Sequence, residues 1–450
     1  MAGKRRFFVE TFGCQMNVND SEKVTGLLLA AGLEPADTPE TADCVFINTC
    51  AVRQKAAQKL DHTLGRLRRL KEQRPELKIA VGGCVAQLDR AGILQRAPHV
   101  DVLVGTRSFI RVPELLAKAR AEPGVQVDLD RREDTLSIPP ALVAHTNPVR
   151  AYVTAMEGCN HVCSFCVVPR ARGPEICRSP EAIVEEVEAV VARGFPEVML
   201  LGQTVNAYRH GNTDFSGLLH RVNAVRGLRR LRFTTSHPSH VGERMAEALR
   251  NLDRACPYLH LPVQSGSDRL LERMRRGHSR AEYMGRVELL RSRVPDLALS
   301  SDVIVGYPEE RQEDFHATLE LLDEVGFDSL FVFEYSPRPG TLAARQPDDV
   351  PKEEKRRRLI ALNERQQAAQ KRRHLSLVGR RQSVLVESAK SDGRVAGRTP
   401  HFRIVHFDGP ASLVGRLVEV EIVGAGANSL LGALTSANGS LTGSSAVPIL

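Results

Sequence analysis

The sequence predicts an α/β protein in three parts: an N-terminal parallel α/β sheet domain, a central incomplete (β/α)6 TIM-like barrel, and a small C-terminal β-barrel. Three observations predict it. Up to about residue 105, short apolar runs alternate with longer helical stretches, the pattern of a parallel sheet covered by helices. Between residues 150 and 345 six strand candidates recur with helical stretches between them, enough for most of a TIM-like barrel but not all of it. Past Gly379 the pattern changes to apolar alternation punctuated by glycines, as in a small closed barrel.

In the first part the strand-like runs are RFFVETFG, CVFINTC, KIAVGGC and DVLVG, and the stretch from Asp20 to Ala31, closed by Gly32, reads as a helix. Cys14 follows the first run, Cys50 ends the second and Cys84 ends the third, so all three emerge at the carboxyl edge, where parallel sheets gather ligands. Cys44 begins the second run; six residues at about 3.3 Å each put it roughly 20 Å from Cys50, outside any shared site. The common edge makes Cys14, Cys50 and Cys84 candidate metal ligands, with three buried structural thiols as the alternative. Residues 126–150 show neither periodicity and contain Pro139, Pro140 and Pro148, which reads as a linker.

The central part opens on EGCNHVCSFCVVPRARGPEICRS, where Cys159, Cys163 and Cys166 stand as CxxxCxxC. Cys thiolates are the usual ligands of a four-iron, four-sulfide cubane, so three cysteines leave one iron open to a small molecule. A structural zinc site prefers four ligands in paired arrangements, and His161, lying between two of the cysteines, serves awkwardly as a fourth. Disulfides fit worse, since nine cysteines in 450 residues are sparse and odd in number.

The barrel strand candidates are AYVTAME, EVMLLGQ, RLRFTTS, YLHLPVQ, ALSSDVIVG and DSLFVFEYS. The first helix after them has a clear start, with Ser179 as N-cap, Pro180 behind it, Glu181 and Glu185 near the positive end, and Gly194 after its last turn. Chemistry in such barrels sits at the carboxyl strand ends. Candidate cofactor contacts at those exits are Gln203 and Asn206, Ser236 and His237, Gln264 and Ser265; Asp302, inside its strand, is also a candidate. Cys256 precedes its strand and reads as structural.

From Lys352 to His374 nine Lys or Arg stand against three Glu, on a chain whose formal charge is +8. The composition suggests a basic helix that could lie along phosphates, with Arg356, Arg357 and Arg372 as candidate RNA contacts. In the alternating segment beyond it, Arg394, Arg398, Arg403, Phe402 and Phe407 are candidates for phosphate contact and base stacking. The Ser/Gly-rich end, residues 435–450, is expected to be disordered. With no run of eighteen apolar residues and no signal peptide, a soluble cytoplasmic protein is expected.

The CxxxCxxC segment resembles the radical S-adenosylmethionine superfamily, and its wider form GCNHVCSFCVVPRARG resembles the methylthiotransferases within it. TFGCQMNVNDSE, INTCAVR and VGGCVAQ are similar to the cysteine-bearing motifs of the methylthiotransferase N-terminal domain. LLGQTVNAY, RFTTSHP, LPVQSGSDRLL and SDVIVGYPEE are similar to its barrel segments, and VAGRTPHFRIVHFDG to part of the TRAM domain, an RNA-binding barrel. Thr204 and Glu309 stand where the family commonly has Asn and Gly, and Cys177 where it commonly has Ser.

The resemblance implies a methylthiotransferase N-terminal domain at 5–122, a radical SAM domain at 145–374 and a TRAM domain at 375–438. It implies two 4Fe-4S clusters, an auxiliary one on Cys14, Cys50 and Cys84 and a radical one on Cys159, Cys163 and Cys166. S-adenosylmethionine is the implied cofactor, cleaved at the radical cluster to a 5'-deoxyadenosyl radical, and one vacant iron in each cluster is expected. Cys177 is expected not to be a ligand, because a fourth thiolate would close the radical cluster. The implied substrate is isopentenylated adenosine beside the anticodon of a tRNA, methylthiolated at carbon 2. The implied partners are tRNA, a flavodoxin- or ferredoxin-like electron donor and a sulfur donor or cluster-repair protein, with a monomer expected and no membrane. The alternatives are a methylthiotransferase for threonylcarbamoyladenosine or a ribosomal protein, or a non-catalytic zinc-containing RNA-binding protein.

Overall fold

The computed structural model describes residues 4–51, 54–131, 136 and 138–435, so the expected disordered end lies, past Thr435, outside the described residues. The chain divides into two units. The first comprises Met1–Thr146, Tyr152–His161 and Cys166–Arg178; the second comprises Asn147–Ala151, Val162–Phe165 and Ser179–Leu450.

The first unit is built on six parallel strands, β1 (Arg6–Phe12), β2 (Glu34–Pro35), β3 (Cys44–Thr49), β4 (Lys78–Gly83), β5 (Val102–Val104) and β6 (Gln126–Asp128), in the order β2-β1-β3-β4-β5-β6. Parallel central strands are buried on both faces, hence the unbroken apolar runs. On β3, Val45 and Ile47 enter one core with Leu60, Leu64 and Leu67 of α2 (Gln54–Gln73). Cys44 and Phe46 enter the other core with Val24 and Leu28 of α1 (Gln15–Ala30). Burial pushes the Cys44 thiol up to about 11, which suits a packing residue.

Two expectations are corrected here. The first helix begins at Gln15, five residues before the expected Asp20, because the Cys14 N–H donates to Asn17 Oδ1 at 3.3 Å and the chain turns helical immediately. Residues 126–150 are also not a plain linker. Val102 to Val104 pair with Gln126 to Asp128, making β6 part of the sheet, and the Thr146 N–H donates to Glu22 Oε1 of α1 at 2.8 Å. The remaining helices of the sheet domain are α3 (Cys84–Leu88), α4 (Arg90–Arg96) and α5 (Val112–Ala121).

After β7 (Arg150–Thr154) comes a short antiparallel pair, β8 (Met156–Glu157) with β9 (Ile176–Cys177), separated by the cysteine-bearing loop and α6 (Val168–Arg172). In the second unit β10 (Glu197–Leu201) leads through a small hairpin, β11 (Arg209–His210) and β12 (Thr213–Asp214), to β13 (Arg230–Thr234). Then follow β14 (Tyr258–His260), β15 (Ala298–Val305) and β16 (Ser329–Glu334). The sheets β13-β10-β7 and β14-β15-β16 are bridged where the Leu231 N–H donates to the Arg254 carbonyl at 2.7 Å and the Leu231 carbonyl accepts from Cys256 at 2.9 Å. Six barrel strands therefore follow in sequence order, and among the described residues β16 has no pairing with β7, so the barrel is incomplete as expected.

The helices between them are α7 (Pro180–Ala192), α8 (Phe215–Asn223), α9 (Glu243–Asn251), α10 (Asp268–Arg273), α11 (Arg280–Arg293) and α12 (Gln312–Val325). Ser179 caps α7 by accepting from the Ala182 N–H at 3.2 Å, the start read from the sequence. The long α13 (Lys352–Leu375) leads to a closed five-stranded barrel, β17 (Arg381–Ala389), β18 (Arg394–Arg398), β19 (Ile404–Asp408), β20 (Leu417–Ala425) and β21 (Leu430–Leu434). Among the described residues no helix is long and apolar enough to cross a membrane.

The second unit is tied by charges that water never reaches. Glu197, fully buried at the start of β10, accepts from Arg150 and from Arg232 Nε, the latter at 2.8 Å; Arg232 donates onward to the carbonyls of Thr399 and Pro400 in the terminal barrel. Burial alone would raise the Glu197 pKa, but Arg232 and then Arg150 overcome it and hold it at about 2. A carboxyl depressed in the folded state stabilises it above its unfolded pKa of about 4.3 and loses that contribution as the pH falls toward about 2. Glu197→Gln, which strands two buried guanidinium groups, is expected to cost about 3–5 kcal/mol at neutral pH. Urea unfolding at a series of pH values should show the gap between parent and variant closing as acid is added; a gap independent of pH would contradict the assignment.

Candidate functional site

In the first unit the sheet register sets the site. Phe12 pairs with Thr49 and Thr49 with Gly83, so the residues that follow, Cys14, Cys50 and Cys84, leave three adjacent strands at one edge. Gly83 takes φ +93, and a Cβ there would collide with Asn48 and the Thr49 carbonyl, so only glycine delivers Cys84 at that angle. Asn17 and Asn48 brace the edge from beneath. Asn17 Nδ2 donates to Asn48 Oδ1 at 3.1 Å, and Asn48 Nδ2 returns to the Asn17 carbonyl at 2.8 Å.

A buried arginine missed in the sequence stands against this edge. Arg172, at the end of α6, donates to Asp20 Oδ2 at 2.5 Å and to Glu157 Oε1 at 3.4 Å, and Glu157 also faces Arg107 Nε at 3.6 Å. Burial alone would discharge Arg172, yet Asp20, Cys84 and Glu157 hold its pKa well above the ordinary value. Asp20 is pushed up by its own burial to about 6, against the pull of Arg172. The hydrogen bond with Cys50 leads the effects that draw the Cys14 thiol down to about 5, with Arg172 assisting against burial. Burial pushes the Cys84 thiol up while Arg172 opposes it. The donor set is therefore three thiols at one edge beside a fixed cation, which fits a thiolate-ligated cluster carrying negative charge.

The CxxxCxxC cysteines are all partly exposed and free of disulfides. In the first unit Cys159 follows β8, its N–H donating to the Gly173 carbonyl at 3.2 Å. Gly158 before it takes φ +84, and a Cβ there would strike the Pro174 carbonyl. In the second unit Cys163 accepts from Arg276 Nη1 at 3.4 Å, and Ser164 is pinned by the carbonyl of Arg273 and by the Tyr307 hydroxyl, each at 2.8 Å. Arg276 is buried, gives its Nη2 to the Pro262 carbonyl at 2.8 Å, and keeps Nε without a partner among the described residues. It too carries no periodic signal in the sequence. A buried guanidinium on a cysteine sulfur fits a thiolate ligand.

Among the described residues no group of three His, Cys, Asp or Glu side chains closes around a point as one metal ion would require. A cubane makes a different demand, since each thiolate binds a different iron. Cys177 lies in β9 and pairs with Met156 of β8, whereas Cys159 lies two residues past the end of β8, beyond the turn at Gly158.

The strand-exit candidates divide. Gln203 and Ser236 lie past the carboxyl ends of β10 and β13; the Ser236 hydroxyl is buried and has no partner among the described residues, as a ligand-facing group would. Gln264 holds φ +78, a costly conformation for a residue with a Cβ, fixed between its N–H bond to the Asp302 carbonyl (2.9 Å) and the Ile304 N–H bond to its own (3.0 Å). Asp302 lies 3.4 Å from His260 Nε2. Asn206 serves otherwise: its Nδ2 donates to the His237 carbonyl at 2.9 Å and its Oδ1 accepts from the His237 N–H at 2.8 Å, so it laces two exit loops together. Glu309 also explains its departure from the family pattern. It sits at φ +64, where glycine is unstrained, and is held there by Arg273 at 2.6 Å and by Asp349 at 2.8 Å.

The RNA candidates stand in different settings. Arg398 pairs with Glu387, and Arg403 pairs with the half of Asp328 that Arg373 leaves open, at 2.6 Å. Phe407 is core of the terminal barrel. Phe402 stacks on Tyr258 at 4.9 Å, with Arg232 and Arg398 each 4.8 Å from its ring centre. On α13 Arg357 is bound to Glu354, whereas Arg356 and Arg372 are exposed and carry no ion pair among the described residues.

Residues 6–105 match the uncharacterized protein family UPF0004, residues 153–322 the radical SAM superfamily and residues 375–435 the TRAM domain. The chain is 46% identical over 438 residues to the tRNA-2-methylthio-N(6)-dimethylallyladenosine synthase of Thiobacillus denitrificans, across 95% of this chain and 98% of that one. It is 46% identical over 443 residues to the synthase of the same name from Chromobacterium violaceum, across 96% and 99%. Among solved structures, the radical S-adenosylmethionine methyltransferase TsrM from Kitasatospora setae superposes with a TM-score of 0.57 at 14% identity, over 86% of this chain and 79% of that one, a likeness of fold.

Two substitutions separate these roles. Cys177→Ser should keep the iron content and S-adenosylmethionine cleavage of the parent, while Cys163→Ser should lose cleavage and about half of the iron; loss of cleavage in the first would make Cys177 a ligand. Arg172→Met, which leaves Asp20 and Glu157 buried without their shared cation, should cost about 3–5 kcal/mol in urea unfolding, and an unchanged midpoint would refute the bracing role.

Proposed function

The chain belongs to the tRNA-2-methylthio-N(6)-dimethylallyladenosine synthases, a family of radical S-adenosylmethionine methylthiotransferases, and we propose that it inserts sulfur and a methyl group at carbon 2 of N(6)-dimethylallyladenosine in tRNA. The observation that carries the reading is the convergence of Cys14, Cys50 and Cys84 on one sheet edge in a chain that also holds a half-exposed CxxxCxxC loop with Arg276 on its middle sulfur.

The reaction asks for bond breaking at an aromatic carbon whose hydrogen is not acidic, so a positioned general base has nothing to remove. S-adenosylmethionine and two 4Fe-4S clusters, when bound, supply the one-electron chemistry and the sulfur that this carbon requires. The protein's part is to hold and orient. Cys159, Cys163 and Cys166 hold the radical cluster, and Cys14, Cys50 and Cys84 the auxiliary one. Arg276 and Arg172 fix the thiolate charge at the two sites. Gln203, Ser236, Gln264 and Asp302 hold S-adenosylmethionine at the carboxyl ends of the barrel strands. The sheet domain, the barrel and the terminal barrel take the limits 5–122, 145–374 and 375–438, the first running on through β6. Exposed Arg356 and Arg372 offer charge to the tRNA backbone, which positions the substrate without reading its sequence. The protein works as a monomer in the cytoplasm, where thiols stay reduced, with a flavodoxin- or ferredoxin-like electron donor and a sulfur donor or cluster-repair protein.

Anaerobically prepared protein should be brown and carry about eight irons, falling to about four when Cys14, Cys50 and Cys84 are replaced together. Mass spectrometry of tRNA nucleosides should show the methylthiolated base absent from a deletion strain and restored by the gene. Normal methylthiolation in the deletion strain, or a colourless zinc-loaded protein, would overturn the assignment.

A further inference from the structure

Partners paired across neighbouring parallel strands share a face of the sheet. His260 pairs with Ser300, Asp302 with Phe331, and Ile304 with Phe333, so these residues share one face, while Leu259, Leu299, Val303, Val305 and Leu330 point the other way and are buried. The first face is polar at its start and aromatic at its end. The Tyr258 hydroxyl meets Ser300 Oγ at 2.7 Å, Ser300 Oγ meets His260 Nδ1 at 2.9 Å, and the His260 ring lies 6.0 Å from Phe331.

Phe331 and Phe333 are 50% and 43% exposed, the only exposed phenylalanines among the described residues. They sit on the edge strand of the incomplete barrel, where a soluble protein ordinarily places charge rather than two bare rings. Their position along the barrel is set by Ile304, beside Phe333 in the register. Ile304 packs against the same apolar cluster as Phe165, the residue preceding Cys166. The two rings therefore occupy the end of the strand where cofactor chemistry is placed, and nothing in the roles assigned above uses them.

We propose that Phe331 and Phe333 seat the substrate nucleoside, the rings covering the five-carbon apolar branch on N6 and the adenine face, and that they set the preference for the alkylated base over plain adenosine. This rests on the assignment of the substrate made above. An adenine offers a flat π-surface for stacking, and its branch offers methyl and methylene groups that gain only from an apolar cover, each worth about fourfold in affinity when buried. The His260 ring, 6.0 Å from Phe331, supplies a polar group for the base edge.

The test uses the full, iron-loaded chain with two anticodon stem-loops of one sequence, one bearing N(6)-dimethylallyladenosine and one unmodified. Replacing both rings, Phe331→Ala with Phe333→Ala, should reduce the preference for the alkylated RNA about ten- to a hundredfold, mainly through KM. S-adenosylmethionine cleavage without RNA, iron content and melting temperature should stay at parental values. The Phe331→Leu, Phe333→Leu pair, which keeps apolar cover but removes the rings, should retain part of the preference and guards against a folding artefact. An undiminished preference in the alanine pair would overturn the proposal. So would weakened S-adenosylmethionine cleavage without RNA, which would give the rings to the cofactor. Failure of the parent chain to methylthiolate the alkylated RNA would bring down the substrate assignment along with it.

Discussion

The constraint on which the first unit depends is the parallel register of β1, β3 and β4. Parallel strands need long crossovers, so residues far apart in sequence can share an edge only if each crossover returns its strand to the same level. Phe12, Thr49 and Gly83 stand at one level, and each is followed within two residues by a cysteine. A one-residue slip of β3 would turn its side chains to the opposite faces, exchanging Val45 and Ile47 with Cys44 and Phe46 between two filled cores. The apolar cores thus enforce the thiol geometry at the edge, and packing and chemistry cannot vary independently.

Buried charge does the corresponding work where loops, which have no ladder to fix them, carry the functional groups. An uncompensated ion inside a protein costs several kcal/mol, so Asp20, Glu157 and Arg172 are tolerable only in one mutual arrangement. That intolerance is what makes them useful, because it fixes the end of α6 and the start of the cysteine-bearing loop more narrowly than apolar contacts would. Glu197 with Arg150 and Arg232 repeats the device in the second unit, where Arg232 reaches the carbonyls of Thr399 and Pro400 in the terminal barrel and Arg150 reaches the Glu387 carboxylate.

Much of this was legible in the sequence, for identifiable reasons. A cysteine at the end of a strand-like run announces its place in the fold, so the grouping of Cys14, Cys50 and Cys84 and the exclusion of Cys44 could be read directly. The start of α1 could not, because a cysteine braced by Asn17 is not a usual cap. The strand Gln126–Asp128 is too short for periodicity to register. Arg172 and Arg276 act from loops and helix ends, where one arginine looks like any other until the fold shows what it touches. Asn206 was placed at the right exit, but its hydrogen bonds to the His237 backbone were not legible, since a polar side chain at a strand end can hold a ligand or hold its neighbouring loop, and composition does not distinguish them.

The basic C-terminal segment shows the same limit in its charges. Of the nine cations on α13, Lys355, Arg357, Arg358, Arg365 and Arg373 are spent on acids within the second unit, and Lys355 and Arg358 are buried doing so. In the terminal barrel Arg398 and Arg403 are committed likewise, and Arg394 is held by Asp392. A formal surplus therefore overstates the charge that RNA can meet, since a guanidinium already facing a carboxylate releases few counterions when a phosphate approaches. What remains on α13 is Lys352, Arg356, Lys371 and Arg372, exposed near its two ends. The middle of the helix is a strut between barrel and terminal domain, and its ends are the parts with charge left to offer.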